Sequence, residues 1–135
     1  MRMAGCAAGV ALLLCVPAAR AHHSFAAEYD ATHPITLTGQ VQRVDFVNPH
    51  GWIYIQVKEA NGRSVTWNVE MGSPNSLIRR GFTKNTVAVG TQVVVDGYRA
   101  KDGSRTVNST TIKLPDGRRL FTGSPGTGAP DTPSK

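Results

Sequence analysis

Four histidines carry most of the chemical interest in this chain: His22 and His23 in tandem, His33, and His50. Imidazole nitrogen suits borderline divalent metals such as copper and zinc. If a secretory leader is removed after Ala21, His22 becomes the first residue. Its α-amine and its ring nitrogen can then chelate one ion, and His23 adds a second ring and a backbone nitrogen. His50 or His33 would supply a distant third imidazole. The metal set expected from the sequence is therefore His22, His23 and His50. The plainer alternative is a polar N-terminus that binds metal only as any His-His peptide does. Neither an HExxH helix nor a paired-cysteine motif supports a metal site.

His50 also belongs to a second group. Asn48-Pro49-His50-Gly51-Trp52 puts a turn, a titratable ring and an indole within five residues. Turn chemistry accounts for Asn, Pro and Gly, and leaves His50 and Trp52 to be explained. Trp52 and Tyr54 share the face of their strand opposite Ile53, Ile55 and Val57. His50, Trp52 and Tyr54 are the expected ligand-binding residues, with the aromatic rings as stacking surfaces. Alternatively the two rings cover a second small core beneath the N-terminal segment or a helix. Trp67 alternates in phase with Val65 and Val69 and is read as core. Glu70 and Asp96 appear as isolated carboxylates with no partner for acid–base work. Arg79-Arg80 and Arg118-Arg119 are read as solvated surface, with attraction of an anion as the alternative. No G-x-S-x-G elbow or phosphate-cradling loop is present. A non-enzymatic binding module of unknown ligand is the expected function, with a copper- or zinc-binding protein as the alternative.

The first 21 residues read as a leader. Arg2 gives a positive start, Ala4 to Val16 is small and apolar, and Ala19-Arg20-Ala21 is a small-x-small cleavage pattern. The stretch is shorter than the roughly 20 apolar residues a membrane span needs, and Pro17 interrupts it. Cleavage would leave 114 of the 135 residues, with no transmembrane span. Both cysteines, Cys6 and Cys15, would leave with the leader, which excludes a disulfide scaffold and a thiol nucleophile. Arg2 and Arg20 would leave too, so thirteen Lys and Arg face nine acids, a net of +4. That mild charge, on a chain expected in the periplasm, argues against nucleic acid as a partner. The expected partner is an unknown envelope ligand or protein, and the chain is read as a monomer.

The elements that would position these residues are mostly strands. Ile35 to Val47 alternates, but Ile35, Leu37 and Val41 share one parity while Val44 and Phe46 take the other. A bulge near Gln42-Arg43 explains the flip, with Gly39 as a second bend. Strands are expected over 52–58 and 64–71, joined by the Ala60-Asn61-Gly62-Arg63 hairpin loop. A two-turn helix follows, capped by Ser73, begun by Pro74 and ended by a left-handed Gly81, with Phe82 packing back on Leu77. Two further strands run over 92–99 and 106–114, with a tight turn at Lys101-Asp102-Gly103-Ser104. Asp116-Gly117 makes another turn, and the chain is expected to be disordered from Gly123. The order β-β-β-α-β-β implies an all-β fold with one short helix. The expected architecture is a five-stranded Greek-key barrel like the oligonucleotide/oligosaccharide-binding (OB) fold. The expected division is leader 1–21, N-terminal segment 22–34, barrel 35–122 and tail 123–135.

Four motifs point to a family. They are His22-His23-Ser24-Phe25, Val47-Asn48-Pro49-His50, Ser73-Pro74-Asn75 with Arg79-Arg80-Gly81-Phe82, and Gly97-Tyr98-Arg99-Ala100-Lys101-Asp102-Gly103. Together they resemble an uncharacterised family of small exported bacterial proteins, over roughly residues 22–124. More distantly, the layout is similar to periplasmic bacterial members of the OB superfamily. The resemblance implies export and an OB-like fold, and carries no activity.

Overall fold

The structure is a computed structural model that describes residues 24–123. The expected leader, His22, His23 and the tail from Ser124 lie outside the described residues. The order of elements is α1 (Phe25–Glu28), β1 (Tyr29–Phe46), β2 (Gly51–Lys58), β3 (Ser64–Glu70), α2 (Pro74–Arg79), β4 (Gln92–Ala100), β5 (Thr106–Lys113) and β6 (Arg119–Phe121). The fold is mostly β: one six-stranded sheet in the order β3-β2-β1-β4-β5-β6, with two short helices. Neighbours in that order are antiparallel, and β3 also pairs with β5 in parallel through Asn68–Thr106, Val69–Val107 and Glu70–Asn108.

β1 serves two partners because it is long. Its first half pairs with β4 and its second half with β2, and Gly39 and Gln40 are in register with both. The register slips between Val41 and Arg43, where the parity flip predicts a bulge. One extra residue there returns Val44 and Phe46 to the core, so the strand bends with its apolar side still inward. Val41, Ile53, Ile55, Val69, Val95 and Ile112 are fully buried in that core.

α2 follows its sequence signals. Ser73 Oγ accepts from Ser76 N at 3.3 Å, and Pro74 begins the helix. Gly81 has φ +81°, and Phe82 N donates back to Leu77 O at 2.9 Å. That bond turns the Phe82 ring inward beside Leu77, both buried, and it stacks on Phe46 at 5.9 Å.

Three expectations are corrected. The sheet has six strands rather than five, because Arg119–Phe121 returns after the Asp116-Gly117 turn to pair with Thr111–Lys113. Three residues are too few for alternation to reveal a strand. There are two short helices rather than one: α1 is a single turn with no side-chain cap, below the length at which helical periodicity shows. β1 begins at Tyr29, six residues before Ile35, and Tyr29 is already in register with Ala100.

Candidate functional site

The outer face of the sheet carries a row of register partners. Asp45 pairs with Trp52, Trp52 with Glu70, Glu70 with Asn108, and Asn108 with Tyr98. Cross-strand partners share a face, so these five side chains lie side by side opposite the core. α1 and the start of β1 cover one end of the row. Phe25 stacks on Tyr29 at 5.7 Å and meets Tyr98 edge-on at 5.5 Å, forming a small second core. A second core under the N-terminal segment therefore exists, but it is built from Phe25, Tyr29 and Tyr98. Trp52 and Tyr54 stay half-buried outside it.

Glu70 is the centre of the arrangement. Its side chain is only 8% exposed. The Tyr29 hydroxyl donates to Oε2, and His50 Nδ1 lies 2.9 Å from Oε1. Its backbone is held as well, since Ser109 Oγ donates to Glu70 O at 2.9 Å. His50 Nδ1 also meets Met71 O at 3.2 Å. A carbonyl only accepts, so Nδ1 carries a hydrogen, and in the neutral ring Nε2 is then the acceptor nitrogen. Burial pushes the Tyr29 phenol well above its usual value, and the hydrogen bond and negative charge of Glu70 push it further. The phenol thus stays a donor.

This corrects the reading of Glu70 as isolated: both its oxygens are engaged. Its partners precede it by 41 and 20 residues on other elements, so no local spacing marks them. Asp96 is corrected in the same way. It accepts from Thr36 Oγ1 at 2.8 Å and Thr111 Oγ1 at 3.1 Å, and pairs with Arg119 at 3.3 Å. Two more of the arginines read as surface also have acceptors nearby. Arg80 donates to Gly123 O at 3.0 Å, and Arg118 pairs with Asp116 at 2.7 Å.

Trp52 lines an open cleft of about 380 Å³ with Tyr29, Lys101, Asp102, Ser104 and Thr106 among its walls. The β4–β5 turn forms one side and the α1–β1 junction the other. The turn is fixed to that junction by Lys101, whose N donates to Glu28 O at 2.8 Å and whose Nζ donates to Ala26 O at 2.6 Å. Ser104 holds the Asp102 carboxyl below the usual range, first through its side chain and then through its N, which donates to Oδ1 at 2.8 Å. Tyr54 sits two residues along the same face, under the Arg43 guanidinium at 3.9 Å. Trp67 is buried in the core, as its parity indicates.

Of the expected ligand residues, the fold brings two to Glu70, Trp52 as its register partner on β2 and His50 through Nδ1, and gives Tyr54 a cation of its own. Of the expected metal residues, only His50 is described. His33 is exposed and pairs with Asp30 at 2.7 Å, so the two described histidines are held by different carboxylates. Among the described residues no three His, Cys, Asp or Glu side chains gather as a metal site, and no helix is long and apolar enough to cross a membrane.

Fold and site together define a small β domain with an aromatic cleft beside a buried tyrosine–carboxylate–histidine cluster. The chain belongs to a family of unknown function, DUF6152, whose profile matches residues 11–109. Tyr29, His50, Trp52 and Glu70 all fall within the match. No curated protein sequence matches the chain.

Proposed function

We propose that this protein is an exported, non-enzymatic binding module of OB-like form that holds its ligand against Trp52. The observation that carries this is the half-exposed indole in a cleft walled by the β4–β5 turn and the α1–β1 junction. A cleft of that size falls in the usual range for small-ligand sites, about 300–1,000 Å³. Strand order supports the OB-like reading: β1 is shared by two partners, α2 lies between β3 and β4, and β3 meets β5 in parallel. In such folds the ligand face is that of the second and third strands, flanked by the loops before the second and after the fourth. Trp52 and the turn at Lys101–Ser104 occupy those places. Export is supported by the leader pattern of residues 1–21. Binding is favoured over catalysis because the buried carboxylate has both oxygens committed to neighbours.

A planar indole beside hydroxyl, ammonium and carboxylate groups suits a ring-bearing polar ligand such as a sugar. Titrating the purified protein with short glucan and chitin oligosaccharides while following tryptophan fluorescence tests this. The expected result is a saturable change that Trp52→Ala abolishes and Tyr54→Phe leaves in place. A response that persists in Trp52→Ala, or none with any sugar when iodide also fails to reach Trp52, would remove the cleft as the site.

A further inference from the structure

The second half of β1 has a partner strand on one side only. The ladder with β2 runs on to Phe46–Gly51, while the ladder with β4 stops at Gln40–Gln92. Gly51 N donates to Gly72 O and Gly51 O accepts from Met71 N, both away from β1. Phe46–Gly51 is therefore a non-hydrogen-bonded pair, and Phe46 turns its own N–H and C=O away from β2. Val44, two residues back, does the same. Both residues present their main-chain groups to the edge that β4 leaves.

The loop between α2 and β4 passes this edge without filling it. Gly90 N donates to Val41 O at 2.8 Å, Val41 N to Thr91 O at 2.9 Å, and Gln40 Nε2 to Gly90 O at 3.1 Å. Further along, the loop bonds to itself, Thr86 N to Thr83 O and Thr91 N to Ala88 O. Among the described residues, none of its main-chain groups bonds to Val44 or Phe46. Between loop and edge lies a cleft of about 560 Å³, with Arg43 and Val44 on one side and Lys84, Val87 and Val89 on the other.

The walls of this cleft select its occupant. Val44 and Val87 are apolar floor, and Val89 is 67% exposed at the surface. The charges are positive: from Met71 to Val95 the chain has Arg79, Arg80 and Lys84 and no acid. Arg43 already pairs with Asp45 at 2.9 Å, so Lys84 is the cation that an incoming carboxylate would meet. An extended chain suits both demands, because its side chains alternate between two faces.

We propose that the open edge of β1 at Val44 and Phe46 is a peptide-docking edge, on which an extended segment of another protein, alternating apolar and acidic residues, adds as a strand under the 84–89 loop. In this mode main-chain hydrogen bonds supply affinity and side-chain contacts choose the sequence. The edge is separate from the Trp52 cleft and does not depend on the sugar reading.

The test titrates the purified protein with a capped peptide of about eight alternating valine and glutamate residues. Amide hydrogen exchange is followed by NMR. In the free protein the Val44 and Phe46 amides should exchange freely, and saturating peptide should slow them by about 10-fold or more. The Asp45 amide, already turned to β2, should change much less. Lys84→Glu, a change at an exposed position, should weaken binding by about 10-fold. The same peptide with alternate nitrogens methylated should not bind, since it cannot complete the ladder. Unchanged exchange at Val44 and Phe46 in the presence of peptide would overturn the proposal, as would equal binding of the methylated peptide or of one with lysine in place of glutamate. Slow exchange of these amides in the protein alone would overturn it too. The edge would then be filled by the chain itself, or by a second copy if the protection grows with protein concentration. Phosphatidylglycerol vesicles that perturb Lys84 and Val89 where the peptide does not would make the surface a lipid contact instead.

Discussion

Tyr29 and His50 bind the two oxygens of one carboxylate, that of Glu70. The residues come from the start of β1 and the turn before β2, and Glu70 ends β3. Through this one group the N-terminal strand, the Asn48–Gly51 turn and the end of β3 are fixed together. The row that carries Trp52 is thereby held in place.

Because the two donors share an acceptor, their losses should not add. Tyr29→Phe leaves a buried carboxylate oxygen without its donor and should cost about 1–3 kcal/mol. His50→Ala should cost a similar amount. A double-mutant cycle should show a coupling of about 0.5–3 kcal/mol, as for residues in one network. Additive losses in urea unfolding would mean that Glu70 is satisfied independently at each oxygen.

β2, β3 and β4 were legible because each alternates and is bounded by turn residues, and α2 because Ser73, Pro74 and Gly81 each serve a specific backbone need. Trp67 was legible from its phase with Val65 and Val69. The Tyr29–Glu70–His50 cluster was not, since it arises from the pairing of elements far apart in sequence. Glu70 sits on the polar parity of β3, and only the docking of α1 and Tyr29 over that face buries it. β6 stayed hidden because three residues are too few for alternation to show. The sequence marked His50 and Trp52 as candidates without indicating the carboxylate of the neighbouring strand that meets them both.

The two tryptophans should separate stability from binding. Trp67 is 8% exposed within the main core, so Trp67→Ala should destabilise by about 3–5 kcal/mol. Trp52→Ala removes a half-exposed ring outside both buried clusters and should cost under about 1.5 kcal/mol. Thermal melts of the two variants check this. Equal large losses would place Trp52 in a buried layer.

Gly97 is a site of close approach rather than of unusual backbone. A Cβ there would lie 2.2 Å from Asn108 O and 2.9 Å from Ser109 Cα. These are main-chain atoms of the paired strand, so no side chain can swing away to make room. Gly97→Ala must open the β4–β5 ladder next to Tyr98 and Asn108. The expected loss is at or above the top of the usual overpacking range, about 3 kcal/mol. Denaturant unfolding measures it, and a change within about 0.5 kcal/mol would mean that the strands sit further apart than this.

Alkaline pH should loosen the Tyr29 tie. Its phenol pKa is raised above the ordinary value of 10.0, first by burial and then by the hydrogen bond to Glu70 and that residue's charge. The folded protein therefore keeps a proton that the unfolded chain gives up above that value. The stabilisation is fully present below about pH 10 and is lost as pH rises toward the folded pKa, by at most about 1.4 kcal/mol per pH unit. Tyr98, whose pKa burial also raises, adds to the loss in the same direction. Urea midpoints measured at pH 8 and pH 11 should fall more steeply for the natural protein than for Tyr29→Phe, which has no phenol to ionise at that position. The Tyr29→Phe protein should be the less stable of the two at pH 8, with the gap narrowing by pH 11. Parallel curves for the two proteins would show that the Tyr29 phenol is no harder to ionise in the fold than in the open chain.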